Sequence, residues 1–425
     1  MINSALKIPK ITAVKGQVIL PGSKSLSNRA LLVSSLASGS TRLLNLLKSD
    51  DTARMMEALK ALKVEVRSNT SFVEVTGKGG PFDEGLNELT LNLGNAGTAM
   101  RPLCAALAVS DGVFTLTGEP RMFERPIGPL IEALKSMGCN IEYLNNDGFP
   151  PVQIRGSRVK KHQVTIDGST SSQFISALLM AAPICGGLEI NVQGDLISKP
   201  YVDLTISLIE KFGAKVKRNG YNTFTVDGGG YASPEVYLIE SDATSATYFA
   251  AAAAINGELE LFGLPLDSVQ GDFRFFEVLK TMGAKVSYSE HAVTVKSGTL
   301  KGIEIDMNAM PDAAMTLVPL SLYTKEEIVI KNIASWRVKE TDRIEAMATQ
   351  MRKLGVKVQC GDDYIALDAS STNEESPVFD TYNDHRMAMC MSLVAFNRDI
   401  VINNPEVINK TFPTYFNLLN TVIKR

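Results

Sequence analysis

The eight residues from Arg337 to Ile344, RVKETDRI, place Arg337, Lys339, Glu340, Asp342 and Arg343 between two apolar stretches. Read as the start of a helix, Lys339 and Arg343 stand i,i+4 on one face, with Glu340 one step round. Two cations beside a carboxylate suit a dianionic ligand that must also gain or lose a proton. A solvated, salt-bridged helix face has the same pattern, so the run needs support from the rest of the chain.

Further groups of this kind recur along the chain. PGSKSLSNR (Pro21 to Arg29) offers Lys24, Ser25, Ser27 and Arg29 within a turn and a half, and GNAGTAMR (Gly94 to Arg101) allows close backbone approach through Gly94 and Gly97. STSSQ (Ser169 to Gln173) supplies hydroxyls for a polyol or a phosphate. Asp312 follows a proline and opens an apolar run, where it serves equally as a cap or as a catalytic base. His385 and Arg386 head another such run, and Arg125 and Lys410 are single cations beside prolines. No GxxxxGK[ST] loop, G-x-G-x-x-G turn, nucleophile elbow or Ser/His/Asp set stands in a supporting context, so nucleotide binding and acyl-enzyme chemistry lose their main support.

These groups need elements to hold them. Six Ala-rich helices, each followed by a strand, are apolar enough all round to be buried: RALLVSSLASGSTRLLNL, MRPLCAALAVSDGVFTLTG, QFISALLMAAPICGGLEINV, ATYFAAAAAINGELELFG, DAAMTLVPLSLYTKEEIVIKNI and HRMAMCMSLVAFNRDIVINN. Directly ahead of each lies a small polar segment: PGSKSLSNR, GNAGTAM, DGSTSSQ, ESDATSA, MPD and YNDHR. Free N–H groups at helix starts attract anions, and the same residue types are ordinary N-caps.

Interleaved is a second unit, a helix ending that runs into a strand, at Met55 to Val66, Leu130 to Tyr143, Leu208 to Arg218, Phe276 to Tyr288 and Met351 to Gln359. Its period of about 70 to 75 residues exceeds that of solenoids. Gly138, Gly213, Gly283 and Gly355 stand where a left-handed residue closes a helix, and the first copy has Lys63 there. The simplest arrangement is α/β, six βαβαββ-like repeats, three per domain. The stretch ITAVKGQVIL near the start is expected to complete the final repeat, which ends without a closing strand. The domains are then residues 21–239 and a discontinuous one of 1–20 with 240–425.

Composition narrows the class. With 425 residues, 45% hydrophobic and 21% charged, the chain suffices for two cores, and 43 Lys and Arg against 46 Asp and Glu argue against a nucleic-acid partner. No apolar run reaches membrane-spanning length, and the first residues have no secretory or transit character. Five cysteines without CxxC pairing indicate a reducing, cytoplasmic setting, and three histidines provide no histidine-rich metal site.

Taken together, LPGSKSLSNRALL, LGNAGTAMRPL, GEPRMFERPIG, DGSTSSQF, SKPYVDLT, ESDATSATYF, PDAAMT, RVKETDRI and NDHRMAM closely resemble the 5-enolpyruvylshikimate-3-phosphate synthase family, in its bacterial stand-alone form. The resemblance implies a two-domain inverse α/β prism whose domains close on substrate. It also implies enolpyruvyl transfer from phosphoenolpyruvate to shikimate 3-phosphate in aromatic biosynthesis, without metal or cofactor, by a cytoplasmic monomer of a family that is the target of glyphosate. By matching motif it assigns Lys24, Ser25, Arg29, Ser171, Ser172, Gln173, Ser198, Tyr201, Asp312, Ser335 and Lys339 to shikimate 3-phosphate. Lys24, Gly97, Arg125, Gln173, Arg343, Arg386 and Lys410 fall to phosphoenolpyruvate, with Asp312 as base, Glu340 as acid and Lys24 as a third catalytic group. The family often has Asn where this chain has Ser335, a departure whose shorter side chain can hydrogen-bond substrate directly or through water.

Two other classes share part of this pattern. The UDP-N-acetylglucosamine enolpyruvyl transferases share the fold but carry a cysteine near an Arg-Pro, whereas the corresponding EPRMFERPIG has none. A non-catalytic phosphometabolite-binding protein would need the cations but neither Asp312 nor Glu340 as a chemical group.

Overall fold

The computed structural model describes residues 4–82, 88–290 and 292–424. The chain folds as two compact units, Gly22–Ile239 and the pair Met1–Pro21 with Glu240–Arg425.

The apolar segments form buried helices. In Ala243–Ile255 every residue except Ile255 is buried, and a helix with no polar face has only a domain interior to occupy. Lys24–Leu36, Gly97–Ala108 and Ser172–Ala181 are buried except for Ser25, Thr98 and Gln173 respectively. Each exception lies in the first turn, so the open part of each helix is its N-terminal end. All eight residues of His385–Ser392 are buried.

Each unit sets small sheets against its helices, and in Gly22–Ile239 the described residues form three four-stranded sheets and a short parallel pair, Tyr231–Ala232 with Ala37–Ser38. Within Gly22–Ile239 the sheets run Leu89–Asn92, Gly112–Thr117, Val152–Gly156, Asn140–Tyr143; then Gln163–Asp167, Gly187–Gln193, Thr223–Asp227, Val216–Asn219; then Val236–Leu238, Ser40–Leu44, Phe72–Thr76, Glu65–Ser68. In all three the first pair is parallel and the other two antiparallel, with registers such as Leu89 opposite Phe114, Gln163 opposite Glu189 and Val236 opposite Arg42. The strand that precedes a buried helix therefore pairs parallel with the strand that follows one, which is the repeated βαβ crossover. Ile303–Asp306, Ile328–Lys331, Ile365–Asp368 and Lys357–Cys360 reproduce the scheme in the other unit. The architecture is the inverse α/β prism, built from six such repeats.

The N-terminal segment departs from expectation. Ala13–Ile19, the core of ITAVKGQVIL, pairs parallel with Gly257–Phe262 and antiparallel with Ile423–Lys424, so it belongs to the fourth repeat. Ala5–Ile8, just ahead of it, pairs antiparallel with Ile400–Asn403 and completes the last repeat. Only a residue without a side chain serves at Gly257, where φ is +136° and a Cβ would lie 1.9 Å from the Val14 carbonyl oxygen.

The five helix endings behave alike. Gly138, Gly213, Gly283 and Gly355 have φ of +98°, +86°, +114° and +79°, and Lys63 takes φ +58° in the first copy. A side chain in this region costs roughly 1–2 kcal/mol, which the other four copies avoid with glycine.

Candidate functional site

Helix starts organise the polar residues of Gly22–Ile239. Ser23 caps Lys24–Leu36 by accepting from the Leu26 N–H at 3.5 Å. Lys24, largely buried, has its Nζ 3.7 Å from Asp51 of the next helix. Asn28 Nδ2 donates to Thr98 Oγ1 at 2.7 Å, which joins the Lys24 helix to the first turn of the Gly97 helix.

Arg29 is 4% exposed, with its Nε donating to Thr205 Oγ1 at 2.8 Å and its Nη1 to the Ser25 carbonyl at 3.0 Å. Burial pushes this guanidinium down to about 10, opposed only by Tyr201, and among the described residues no carboxylate pairs with it. A buried cation balanced by neutral groups is poised for an anionic ligand.

Gly97 and Arg125 are brought into contact. A Cβ at Gly97 would stand 2.7 Å from Arg125 Nη2 and 3.0 Å from Arg101 Nη1. Arg125 Nη1 is fixed by the Asn95 carbonyl at 2.9 Å and Asn95 Oδ1 at 2.8 Å, whereas among the described residues its buried Nε has no hydrogen-bond partner. Ser171 caps Ser172–Ala181, accepting from the Gln173 N–H at 3.3 Å, with Ser172 buried and Gln173 half-buried. Ser198 adopts a left-handed φ of +53° ahead of the Pro200–Lys211 helix that carries Tyr201. A non-glycine residue held there stores strain of the kind that gathers at binding sites.

In the other unit, five of the sequence-derived residues meet in one cluster. Arg343, 1% exposed, donates from Nη1 to Asp312 Oδ1 at 2.8 Å, from Nη2 to Glu340 Oε2 at 3.0 Å and from Nε to Asp384 Oδ2 at 2.7 Å. Arg386 Nη2 donates to the second oxygen of Asp312 at 2.8 Å, and Lys410 Nζ lies 3.8 Å from Glu340 Oε1. Burial alone would push the Arg343 guanidinium down, but Asp384, Glu340 and Asp312 together raise it well above its ordinary value. One fixed cation thereby holds three carboxylates at separate nitrogens, Asp312 on Nη1, Glu340 on Nη2 and Asp384 on Nε.

The local conformation around RVKETDRI differs from the helical reading. Ala334–Val338 is a 3-10 turn, Lys339 is extended, and the helix begins at Arg343 with Asp342 as N-cap, accepting from the Glu345 N–H at 3.3 Å. Asp342 is the better cap, so the charged residues before it precede the helix instead of lining it. Lys339 and Arg343 are therefore not one helix face, and Glu340 reaches Arg343 from the preceding loop. Ser335 and Lys339 are half-buried on this segment. Asp312 is not a cap either: Met310 holds that position, and the aspartate binds two arginines.

Several positioning residues went unrecognised in the sequence. Asp384 caps His385–Ser392 through the Arg386 N–H at 2.9 Å while it grips Arg343, and Tyr248 OH accepts from Arg386 Nη1 at 3.0 Å. Fully buried His385 has its Nδ1 3.5 Å from Asp384 Oδ1. Trp336, the chain's one tryptophan, donates from Nε1 to the Pro311 carbonyl at 2.6 Å, pinning the turn that presents Asp312. Asp384 was legible as a cap in YNDHR; the partners of Tyr248 and Trp336 are too distant in sequence to leave a local signal. Among the described residues, no three His, Cys, Asp or Glu are grouped to hold a metal ion.

Comparison with known proteins gives the family. The family model for EPSP synthase (3-phosphoshikimate 1-carboxyvinyltransferase) covers residues 8–419. A 3-phosphoshikimate 1-carboxyvinyltransferase of Sulfurovum sp. (strain NBC37-1) is 49% identical over 99% of both chains, and one of Actinobacillus pleuropneumoniae serotype 5b (strain L20) is 50% identical over 97% of both. The structure of EPSP synthase from Acinetobacter baumannii superposes with TM-score 0.79 at 26% identity, covering 99% of this chain and 98% of the other. The enolpyruvyl transferase NikO from Streptomyces tendae shares the fold at TM-score 0.79 and 17% identity, over 99% of this chain and 98% of its own. The chain belongs to the EPSP synthase (3-phosphoshikimate 1-carboxyvinyltransferase) family.

Proposed function

We propose that the residues of Gly22–Ile239 chiefly bind shikimate 3-phosphate, and that the Arg343 cluster, with Lys24, Gly97 and Arg125, binds phosphoenolpyruvate and moves the protons. The protein is a transferase, a 3-phosphoshikimate 1-carboxyvinyltransferase of the shikimate pathway. No described helix is long and apolar enough to cross a membrane, and the family resemblance supports a cytoplasmic monomer acting on these two small molecules.

In this reading the 5-hydroxyl oxygen attacks C2 of phosphoenolpyruvate and gives its proton to Asp312, while Glu340 protonates C3. Loss of phosphate and of one C3 proton then restores the double bond as an enol ether. Both carboxylates must be in place, because C2 becomes electrophilic only as C3 gains a proton. Arg125, Arg343, Arg386 and Lys410 neutralise the phosphoenolpyruvate charges. Ser25, Arg29, Ser171, Ser172, Gln173, Ser198, Tyr201, Ser335 and Lys339 hold the other substrate.

The observation that carries the reading is the sharing of Arg343 by Asp312 and Glu340, at 2.8 and 3.0 Å. An anion that draws on Arg343 or Arg386 must compete with these carboxylates, so substrate charge and proton transfer are coupled through the same guanidinium groups. Phosphate release from phosphoenolpyruvate should occur only when shikimate 3-phosphate is present. Release without it, or release driven by UDP-N-acetylglucosamine, would overturn the assignment.

A further inference from the structure

We propose that Thr205 is a positioning residue for shikimate 3-phosphate, its buried hydroxyl locking the Arg29 guanidinium and the Tyr201 backbone into one arrangement. The inference rests on the assignment of Arg29 and Tyr201 made above.

Thr205 is fully buried in the Pro200–Lys211 helix, one turn beyond Tyr201. Its oxygen accepts from Arg29 Nε at 2.8 Å and donates to the Tyr201 carbonyl at 2.7 Å, with Ser176 Oγ at 3.1 Å. Ser176 itself lies 3.5 Å from the same carbonyl. One hydroxyl thus joins three helices, those beginning at Lys24, Ser172 and Pro200, each of which carries residues assigned to the substrate.

Arg29 is the group that depends on this hydroxyl. Its cation is buried without a carboxylate among the described residues, and burial weakens its hold on the proton. Among those residues, Thr205 and the Ser25 carbonyl receive its N–H groups. Removing the acceptor on Nε would leave a charged donor unsatisfied in the interior, which is relieved by rotation of the guanidinium toward other acceptors. The planar fork would then present its remaining N–H groups in the wrong direction for a carboxylate or phosphate. A back-bonded hydroxyl inside a helix is otherwise neutral or slightly unfavourable, so the hydroxyl's contribution lies in holding Arg29.

The test compares Thr205→Val, which keeps shape and removes the hydroxyl, with Thr205→Ser, which keeps the hydroxyl. KM for shikimate 3-phosphate should rise about 10- to 100-fold in Thr205→Val. The phosphoenolpyruvate KM and kcat should stay within about twofold, and Thr205→Ser should restore the substrate KM. If Thr205→Val does not fold, Thr205→Ala, read by the dissociation constant for shikimate 3-phosphate, makes the same comparison. Unchanged affinity in a folded hydroxyl-free variant, or an equal loss in Thr205→Ser, overturns the proposal. Arg29→Gln separates the two levels: weakened binding there beside normal binding in Thr205→Val removes only the inference, whereas normal binding in Arg29→Gln removes the site assignment beneath it.

Discussion

Replacing Gly97 by alanine would place a methyl group 2.7 Å from Arg125 Nη2 and 3.0 Å from Arg101 Nη1. Ordinary contact begins at 3.4 Å, so the Arg125 guanidinium must retreat by about 0.7 Å, the difference between 3.4 and 2.7. It is not free to do so without loss, because Nη1 is held by Asn95 at 2.9 and 2.8 Å. Overpacking of this order costs about 1 to 3 kcal/mol, or roughly 5- to 150-fold in binding, for whichever ligand depends on that guanidinium or on the space beside it. Glyphosate, longer than phosphoenolpyruvate, should lose more. The assay is the glyphosate inhibition constant divided by the phosphoenolpyruvate KM, in wild type, Gly97→Ala, Arg125→Lys and the double variant. The ratio should rise in Gly97→Ala, and the two substitutions should be non-additive because they act on one contact. An unchanged ratio with additive effects would place Gly97 in a turn that no ligand reaches.

Arg343→Lys retains charge but cannot offer three directed nitrogens to Asp312, Glu340 and Asp384; stability should fall by about 3 kcal/mol and phosphate release by at least about 100-fold, measured by urea unfolding and initial rates. A loss below about 1 kcal/mol with normal rates would contradict the role given to the cluster. Asp272, buried and accepting from Thr244, has its carboxyl pushed up to about 7, first by burial and then by Asp312, against an ordinary 3.8. The folded protein then keeps a proton that the unfolded chain has released. Its stabilising contribution is full below pH about 4 and lost as pH rises through about 7. Asp272→Asn should remove up to about 4 kcal/mol of this fall between pH 4 and 7, and parallel stability curves for the two proteins would refute it.

Periodicity exposed the repeats because each has the same helix ending, and the left-handed φ at Gly138, Gly213, Gly283, Gly355 and Lys63 is the physical demand behind that pattern. The six polar segments proved to be helix starts for a similarly local reason: Ser23, Ser171, Asp242 and Asp384 each cap the helix that follows. What escaped is long-range. Nothing near Ala5–Ile8 announces that it, and not Ala13–Ile19, closes the last sheet, because either strand alternates well enough to pair. The charges of RVKETDRI suggested a helix face, but a local pattern cannot weigh Asp342 as a cap against continuation of the helix. Thr205 and Asn95 were invisible because their importance derives from arginines far along the chain, Arg29 and Arg125.

Glu340, held on Arg343 opposite Asp312, is proposed to carry the proton to C3 of phosphoenolpyruvate. Deuterium entry into the methylene group, followed by mass spectrometry in heavy water with shikimate 3-phosphate present, tests it directly. Wild type should wash deuterium into the methylene during turnover, and Glu340→Gln should lose exchange and product formation together by about 100- to 10,000-fold. Exchange at the wild-type rate in a folded Glu340→Gln protein would mean that another group supplies the proton and that the cluster serves only to bind.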